Sequence, residues 1–258
     1  MSTRRPTLHL IAYIDFLGTK EKIKSDVNNH YFEFLYTLYD SLYKTINERN
    51  KEDFKYIKTF KVKTFSDNIL LATSANLPKP QLCYALGDFI DMASNIQTKA
   101  LENGILTRGG ITLGNIFVNE NFVYGKGLLE AISLEEQVAN YPRIVIHDCL
   151  ETKCSDYYNA NKNTKFDVDN IRFIDFYQRS VNNEAVLTMC TNKLEELSKQ
   201  KHTNNKIISK LNWLISQHNE YINKVFRDEI FNFDVRNFTD ETKQKFRQIS
   251  PIPLIHNN

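Results

Sequence analysis

The chain has 258 residues, 41% of them hydrophobic, enough to bury the core of one sizeable domain with additions or of two small ones. Its 33 basic and 31 acidic residues leave a formal net charge of +2, so no global cationic field argues for wrapping DNA or RNA, while a local cationic pocket stays open. Cys83, Cys149, Cys154 and Cys190 lack the paired spacing of a zinc site and read as reduced thiols, and the apolar run interrupted by His9 is too short for a signal or transmembrane segment; the expected location is the cytoplasm.

Residues 8–14 form an apolar, strand-like run that ends at Asp15. Over 28–48, Tyr31, Phe34, Leu35, Leu38, Leu42 and Ile46 recur at helical spacing, which predicts a helix packed on a sheet. Residues 56–65 alternate loosely and 69–73 resume an apolar strand; Ser66, Asp67 and Asn68 between them supply turn chemistry, so a hairpin carries Asp67 at its tip. A helix over 82–102 ends at Asn103-Gly104, a pair suited to a left-handed cap. Residues 105–114 read as strand, with 115–118 pairing or continuing it. The adjacent Gly109 and Gly110 imply close approach by a ligand or another backbone, or else a bulge or tight crossing.

A helix over 127–139 and a short strand over 142–146 complete the pattern. The expected fold is α+β: a ferredoxin-like βαββαβ core, an antiparallel sheet with helices on one face, plus a C-terminal helical extension. Residues 153–169 are polar and read as a surface insertion, and 171–177 as one more strand. Helices over 184–199 and 205–227 follow, the second with Ile208, Leu211, Leu214, Ile215 and Ile222 on one face; they either pack on the core or form an oligomer interface. Residues 240–258 carry no readable motif. The expected division is 1–180 and 181–258.

Asp15 and Asp67 are the chemistry-bearing residues of this pattern. Two carboxylates at strand ends of a β core are what a two-metal phosphoryl-transfer site requires, although Asp also commonly does no more than begin a turn.

Four blocks in register carry a family resemblance: Ala12-Tyr13-Ile14-Asp15-Phe16-Leu17-Gly18, Lys63-Thr64-Phe65-Ser66-Asp67, Arg108-Gly109-Gly110-Ile111-Thr112-Leu113-Gly114, and Tyr124-Gly125 leading into a helix. Their order and spacing over residues 8–147 resemble the class III nucleotidyl cyclases. The wording of the blocks is most similar to the pyrimidine cyclases of bacterial Pycsar antiphage systems, a likeness to which Lys210-Leu211-Asn212-Trp213-Leu214 adds more loosely. The resemblance implies a catalytic domain over 1–180 in which Asp15 and Asp67, with the backbone carbonyl of Phe16, hold two divalent ions, Mn²⁺ or Mg²⁺. It further implies backbone N–H groups of the Phe16-Leu17-Gly18 turn on the β- and γ-phosphates, Arg108 on the triphosphate and Lys63 at the base. Lys20 and Lys22 are candidates for added charge there. In such a family the two half-sites come from different subunits, so a homodimer with two shared sites is implied, together with a separate cyclic-nucleotide-responsive effector.

Three positions depart from the family pattern. Its base-reading acid falls at Phe122, and its transition-state asparagine and arginine fall at Leu129 and Ser133. Lys126, Glu130, Glu135 and Arg143 are the candidates to stand in, although Arg143, after a proline at the start of a strand, equally fits simple pairing with a carboxylate. The function expected from the resemblance is conversion of UTP or CTP to a 3′,5′-cyclic monophosphate, as a second-messenger synthase in antiphage defence. The alternatives are a purine cyclase acting on ATP or GTP, a non-catalytic nucleotide-binding module, and, disfavoured by size and charge, a polymerase palm. No nucleic-acid or membrane partner is expected.

Overall fold

The computed structural model of the chain describes residues 5–51, 60–155, 163–177, 184–202, 204–227 and 238–256. In chain order the elements are β1 (Thr7–Phe16), α1 (Thr19–Ser25), α2 (His30–Lys51), β2 (Lys61–Phe65), β3 (Asn68–Ser74), α3 (Lys79–Glu102), β4 (Thr107–Val118) and β5 (Val123–Tyr124). There follow α4 (Lys126–Ser133), running straight into a π-helical turn (Leu134–Val138), then β6 (Ile144–Ile146), α5 (Asp148–Lys153), β7 (Thr164–Phe166) and β8 (Arg172–Ile174). The last described helices are α6 (Glu184–Lys199), α7 (Asn205–Ile222, extended by a π turn over Asn223–Arg227) and α8 (Asp240–Gln248).

β1 is central: it pairs antiparallel with β3 on one side and with β4 on the other, and β2 pairs antiparallel with β3. The order β4-β1-β3-β2 is the expected ferredoxin-like arrangement, and β6, β8 and β7 extend the sheet beyond β4, with β6 parallel to it. Leu10, Ala12, Ile14 and Phe16 of β1 belong to the main core, beneath α2 and α3, while Ile11 and Tyr13 join a second apolar cluster with Leu70, Ala72 and Ala131. A strand buried on both faces reads as an unbroken apolar run. The long helices thus cover one face as expected, and α4 with its π turn occupies the other.

The adjacent strand glycines are explained by neighbours on two sides: a Cβ at Gly109 would stand 2.5 Å from the Tyr13 carbonyl of β1, and Gly110 faces that second layer. A Cβ at Gly110 would stand 2.5 Å from Cβ of Leu134 and 2.9 Å from the Ala131 carbonyl; one at Gly114 would stand 2.4 Å from Cα of Gly127. Of the readings open in the sequence, approach by another backbone is the one found.

Several bounds differ from the sequence expectations. β4 starts at Thr107, two residues later than expected, the expected helix over 127–139 changes period at Leu134, and β7 lies inside the stretch read as a surface insertion; of the two readings of 115–118, continuation of the strand is the one found. Residues 56–59 of the expected hairpin strand lie outside the described residues. The tail contains α8, where only Thr242 and Phe246 are buried. Leu187, Cys190 and Leu194 of α6, Leu211, Leu214 and Ile215 of α7, and Phe246 share one core with Leu10, Ile14 and Phe89.

The extended residues after α8 lie along α7. Asn212 donates through Nδ2 to the Ile255 carbonyl at 2.9 Å and accepts its N–H at 2.8 Å; Asn219 makes the same two bonds to Ile252, at 2.9 and 3.0 Å.

Candidate active site

Strand register brings the candidate residues to one end of the sheet. Asp15, next to last in β1, sits opposite Asn68 of β3 and opposite Arg108 of β4. Asp67 lies in the tight turn between β2 and β3, where Ser66 takes φ 56°. Its carbonyl accepts the Phe16 N–H at 3.1 Å, tying the turn to the end of β1, and the Tyr39 hydroxyl donates to the Ser66 carbonyl at 2.8 Å. The Nε of Arg108 is 3.7 Å from Oδ2 of Asp15 and also forms an ion pair with Glu135, a side chain only 4% exposed.

Charge and burial compete at these groups. Burial raises the pKa of Asp15, and the charge of Asp67 raises it further; Arg108 and Lys210 pull it down. Burial also pushes Glu135 up to about 7 against the pull of Arg108, with Asp15 and Glu136 adding to the rise. The Tyr13 hydroxyl is pushed up to about 12 by burial and by the charges of Asp15, Glu135 and Asp67. Lys210 is lowered by burial and by Arg108, against the pull of Asp15 and Glu135. Asp15, Asp67, Arg108, Glu135 and Lys210 therefore share one electrostatic environment.

Phe16 takes part through its backbone alone. Its ring is 1% exposed and packs in the core against Phe34 and Tyr39. Its N–H serves Asp67 and the Leu17 N–H donates to the Leu106 carbonyl at 2.8 Å, which corrects the expectation that these two groups face phosphates. The Phe16 carbonyl accepts the Thr19 hydroxyl at 2.7 Å, and its second lone pair remains for a cation. Donors for an anion begin at Gly18, which takes φ 80° with open space around it, and at the first residues of α1, whose N–H groups have no intrahelical partner.

Lys63 is not brought to this cluster. It lies on β2, separated from β1 by β3, and its ammonium donates to the Glu120 carbonyl of the β4–β5 turn; Lys61 holds the Val118 carbonyl at 2.6 Å. Phe122 is 55% exposed and Leu129 is 67% exposed, while Ser133 ends α4. Of the candidate replacements, Lys126 is exposed, Glu130 pairs with His147 at 3.4 Å, and Glu135 reaches Arg108. Arg143 is fully buried and committed to Asp167 and Asp169, so it does not serve the site. Sequence reading gave Lys210 no role; its one signal is position, a helical turn before Leu214, which lines a crevice with Leu106 and Thr107 beside Arg108.

Asp15, Asp67 and the Phe16 carbonyl are hard oxygen donors, the kind Mg²⁺ and Mn²⁺ prefer. Among the described residues no group of three or more His, Cys, Asp or Glu side chains gathers in metal-binding geometry. Two carboxylates completed by substrate phosphates are the ordinary Mg²⁺ complement, and a divalent cation would offset the charge of Asp67 that, after burial, raises the Asp15 pKa. The donor set fits.

No protein-family model matches the chain, and no curated protein matches it. Among solved structures the chain is similar to the monomeric guanylyl cyclase domain of the RhoGC fusion protein from the aquatic fungus Blastocladiella emersonii, at 15% identity and TM-score 0.45, covering 66% of this chain and 96% of that one. It is similar to the guanylyl cyclase Cya2 at 11% identity and TM-score 0.41, covering 66% and 91%. It is also similar to the catalytic core of a rhodopsin-guanylyl cyclase with converted specificity in complex with ATPαS, at 16% identity and TM-score 0.43, covering 67% and 98%.

Proposed function

We propose that the protein is a metal-dependent nucleotidyl cyclase of the class III kind, converting UTP or CTP to its 3′,5′-cyclic monophosphate and pyrophosphate. The observation that carries this reading is the convergence of Asp15 and Asp67 beside Arg108 at one sheet end, adjoining the turn that opens α1. Cyclisation requires the 3′-hydroxyl to lose its proton and attack the α-phosphorus in line while pyrophosphate departs. Divalent ions bound with the triphosphate lower the hydroxyl pKa and neutralise charge on the leaving group.

The chain's own residues supply the rest. Asp15 and Asp67 would hold the divalent cations, and Arg108 offers a forked donor to phosphate oxygens. The N–H groups from Gly18 onward orient the β- and γ-phosphates. Phe122, exposed and apolar, offers no acceptor to the amino group of adenine, which argues against ATP as the substrate; Lys63 can donate to a ring carbonyl or nitrogen. Since Lys63 and Asp15 are held on strands that are not neighbours, we propose a two-fold dimer in which each site joins the aspartates of one protomer to the Lys63 region of its partner. The product would act on a separate effector in antiphage defence. No described helix is long and apolar enough to cross a membrane.

A second reading, a nucleotide-binding module without turnover, is favoured by one observation: Leu129 and Ser133 leave the transition state without the polar groups the resemblance would supply there. Incubation of the purified protein with ATP, GTP, CTP and UTP, each with Mn²⁺, decides between them. A cyclic pyrimidine product lost in Asp67→Ala is the expected result. Purine product alone overturns the base assignment, and bound NTP without pyrophosphate release establishes the module.

A further inference from the structure

We infer that Glu135 is a positioning residue that orients Arg108 for the triphosphate, an inference that rests on the phosphate role proposed above for Arg108. A guanidinium has two usable edges, the Nε–H side and the fork of the two Nη groups, and the fork matches phosphate geometry. The nearest approach of Arg108 to each carboxylate is at its Nε: the ion pair to Oε1 of Glu135 and the 3.7 Å approach to Oδ2 of Asp15. Neither carboxylate comes as near to the Nη fork. Glu135 and Asp15 together pin the stem end of the guanidinium and leave the fork to face a ligand.

The local fold explains how Glu135 arrives there. Ala131 and Leu134 lie on Gly110, where only a glycine permits the approach, and this brings the next residue down onto the sheet two positions along β4 from Gly110, at Arg108. The helix widens from α to π geometry at Leu134, so the residues after Ser133 do not continue the α4 period, in which Leu129 points to solvent. Single π turns inside α-helices recur at functional sites because the extra residue redirects a side chain. Burying a carboxylate is costly unless a cation or hydrogen bonds meet it. Glu135 is 3% exposed, and its Oε1 meets Nε of Arg108 at ion-pair range.

The test uses inorganic triphosphate with Mn²⁺ as a binding probe, alongside steady-state kinetics with NTP, on the full chain. Glu135→Ala should weaken triphosphate binding and raise KM about tenfold while kcat changes less, and Glu135→Gln, which keeps an acceptor for Nε–H, should stay within about threefold of wild type. Should the alanine variant fail to fold, the volume-matched Glu135→Met carries the same expectation. Because Glu135 acts through Arg108, Glu135→Ala combined with Arg108→Ala should bind no worse than Arg108→Ala alone. Unchanged or tighter triphosphate binding in Glu135→Ala, or additive losses in the double variant, overturns the inference. Wild-type protein that binds triphosphate but turns over no NTP overturns the cyclase reading and leaves this one standing; wild-type protein that does not bind triphosphate overturns both.

Discussion

Arg143→Met should destabilise the protein by about 3–5 kcal/mol, the range found when one partner of a buried ion pair is removed. The guanidinium is fully buried; Nη1 serves Asp167 and lies 3.0 Å from Asp169, while Nη2 serves Asp169 and the Val138 carbonyl at 3.4 Å. Methionine fills most of the volume but leaves Asp167, 3% exposed at its side chain, with two neutral donors: the Trp213 indole N–H and the Val168 N–H, each at 2.8 Å. Asp169 is 35% exposed at its side chain and stays hydrated, so the loss falls on Asp167. For a chain of this size each kcal/mol moves Tm by about 2–4 °C, so the expected drop is about 6–20 °C by thermal melting, with a matching fall in urea midpoint. Arg143→Met with Asp167→Asn removes both charges and should recover most of the loss. A single-variant loss below about 1 kcal/mol, or a double variant as unstable as the single, refutes the account of Arg143 as a structural clamp.

Gly110→Ala forces its methyl into Leu134 and the Ala131 carbonyl, and should cost about 1–3 kcal/mol in urea denaturation while reducing triphosphate affinity, because the π turn must lift. In metal-free buffer, Glu135 keeps its proton up to about 7 in the folded state against an ordinary 4.5, so its contribution to stability is fully present below 4.5 and is lost as pH rises through about 7. Urea midpoints measured from pH 4.5 to 8 should therefore fall less steeply in Glu135→Gln than in wild type; parallel profiles would count against the buried acid. Gly18→Val meets no neighbouring atoms but must adopt φ 80°, so its cost of about 1–2 kcal/mol should be pure backbone strain, and an equally stable variant would show that the turn relaxes.

What the sequence made legible is what is local. Asp15 and Asp67 stand at the ends of apolar runs that any β core must bury, and the apolar stripe of α2 at Tyr31, Leu38, Leu42 and Ile46 follows directly from helical period. Glu135 was visible only as one of several nearby acids, because a change from α to π geometry leaves no mark in a periodic pattern. Arg143 looked like a candidate for phosphate chemistry; its partners, Asp167 and Asp169, lie in a stretch whose polarity suggested a loop. Helix α8 was hidden for a related reason: with two buried positions among nine residues, its hydrophobic signal is too thin to register. Lys63 reads from its block as a base contact, yet its tether to Glu120 depends on a turn 57 residues away.

The two asparagines that grip the tail form a ruler with two notches. Asn212 and Asn219 are separated by two helical turns, an advance of about 10.5 Å, while Ile252 and Ile255, taken by them in reverse order, are separated by about 10 Å of extended chain. Helix and strand thus come into step over this one interval, with the side-chain amides reading the tail peptides as a neighbouring strand would. A single residue inserted at Pro253 would throw the scale out by about a third of its length, and only one notch could then engage at a time.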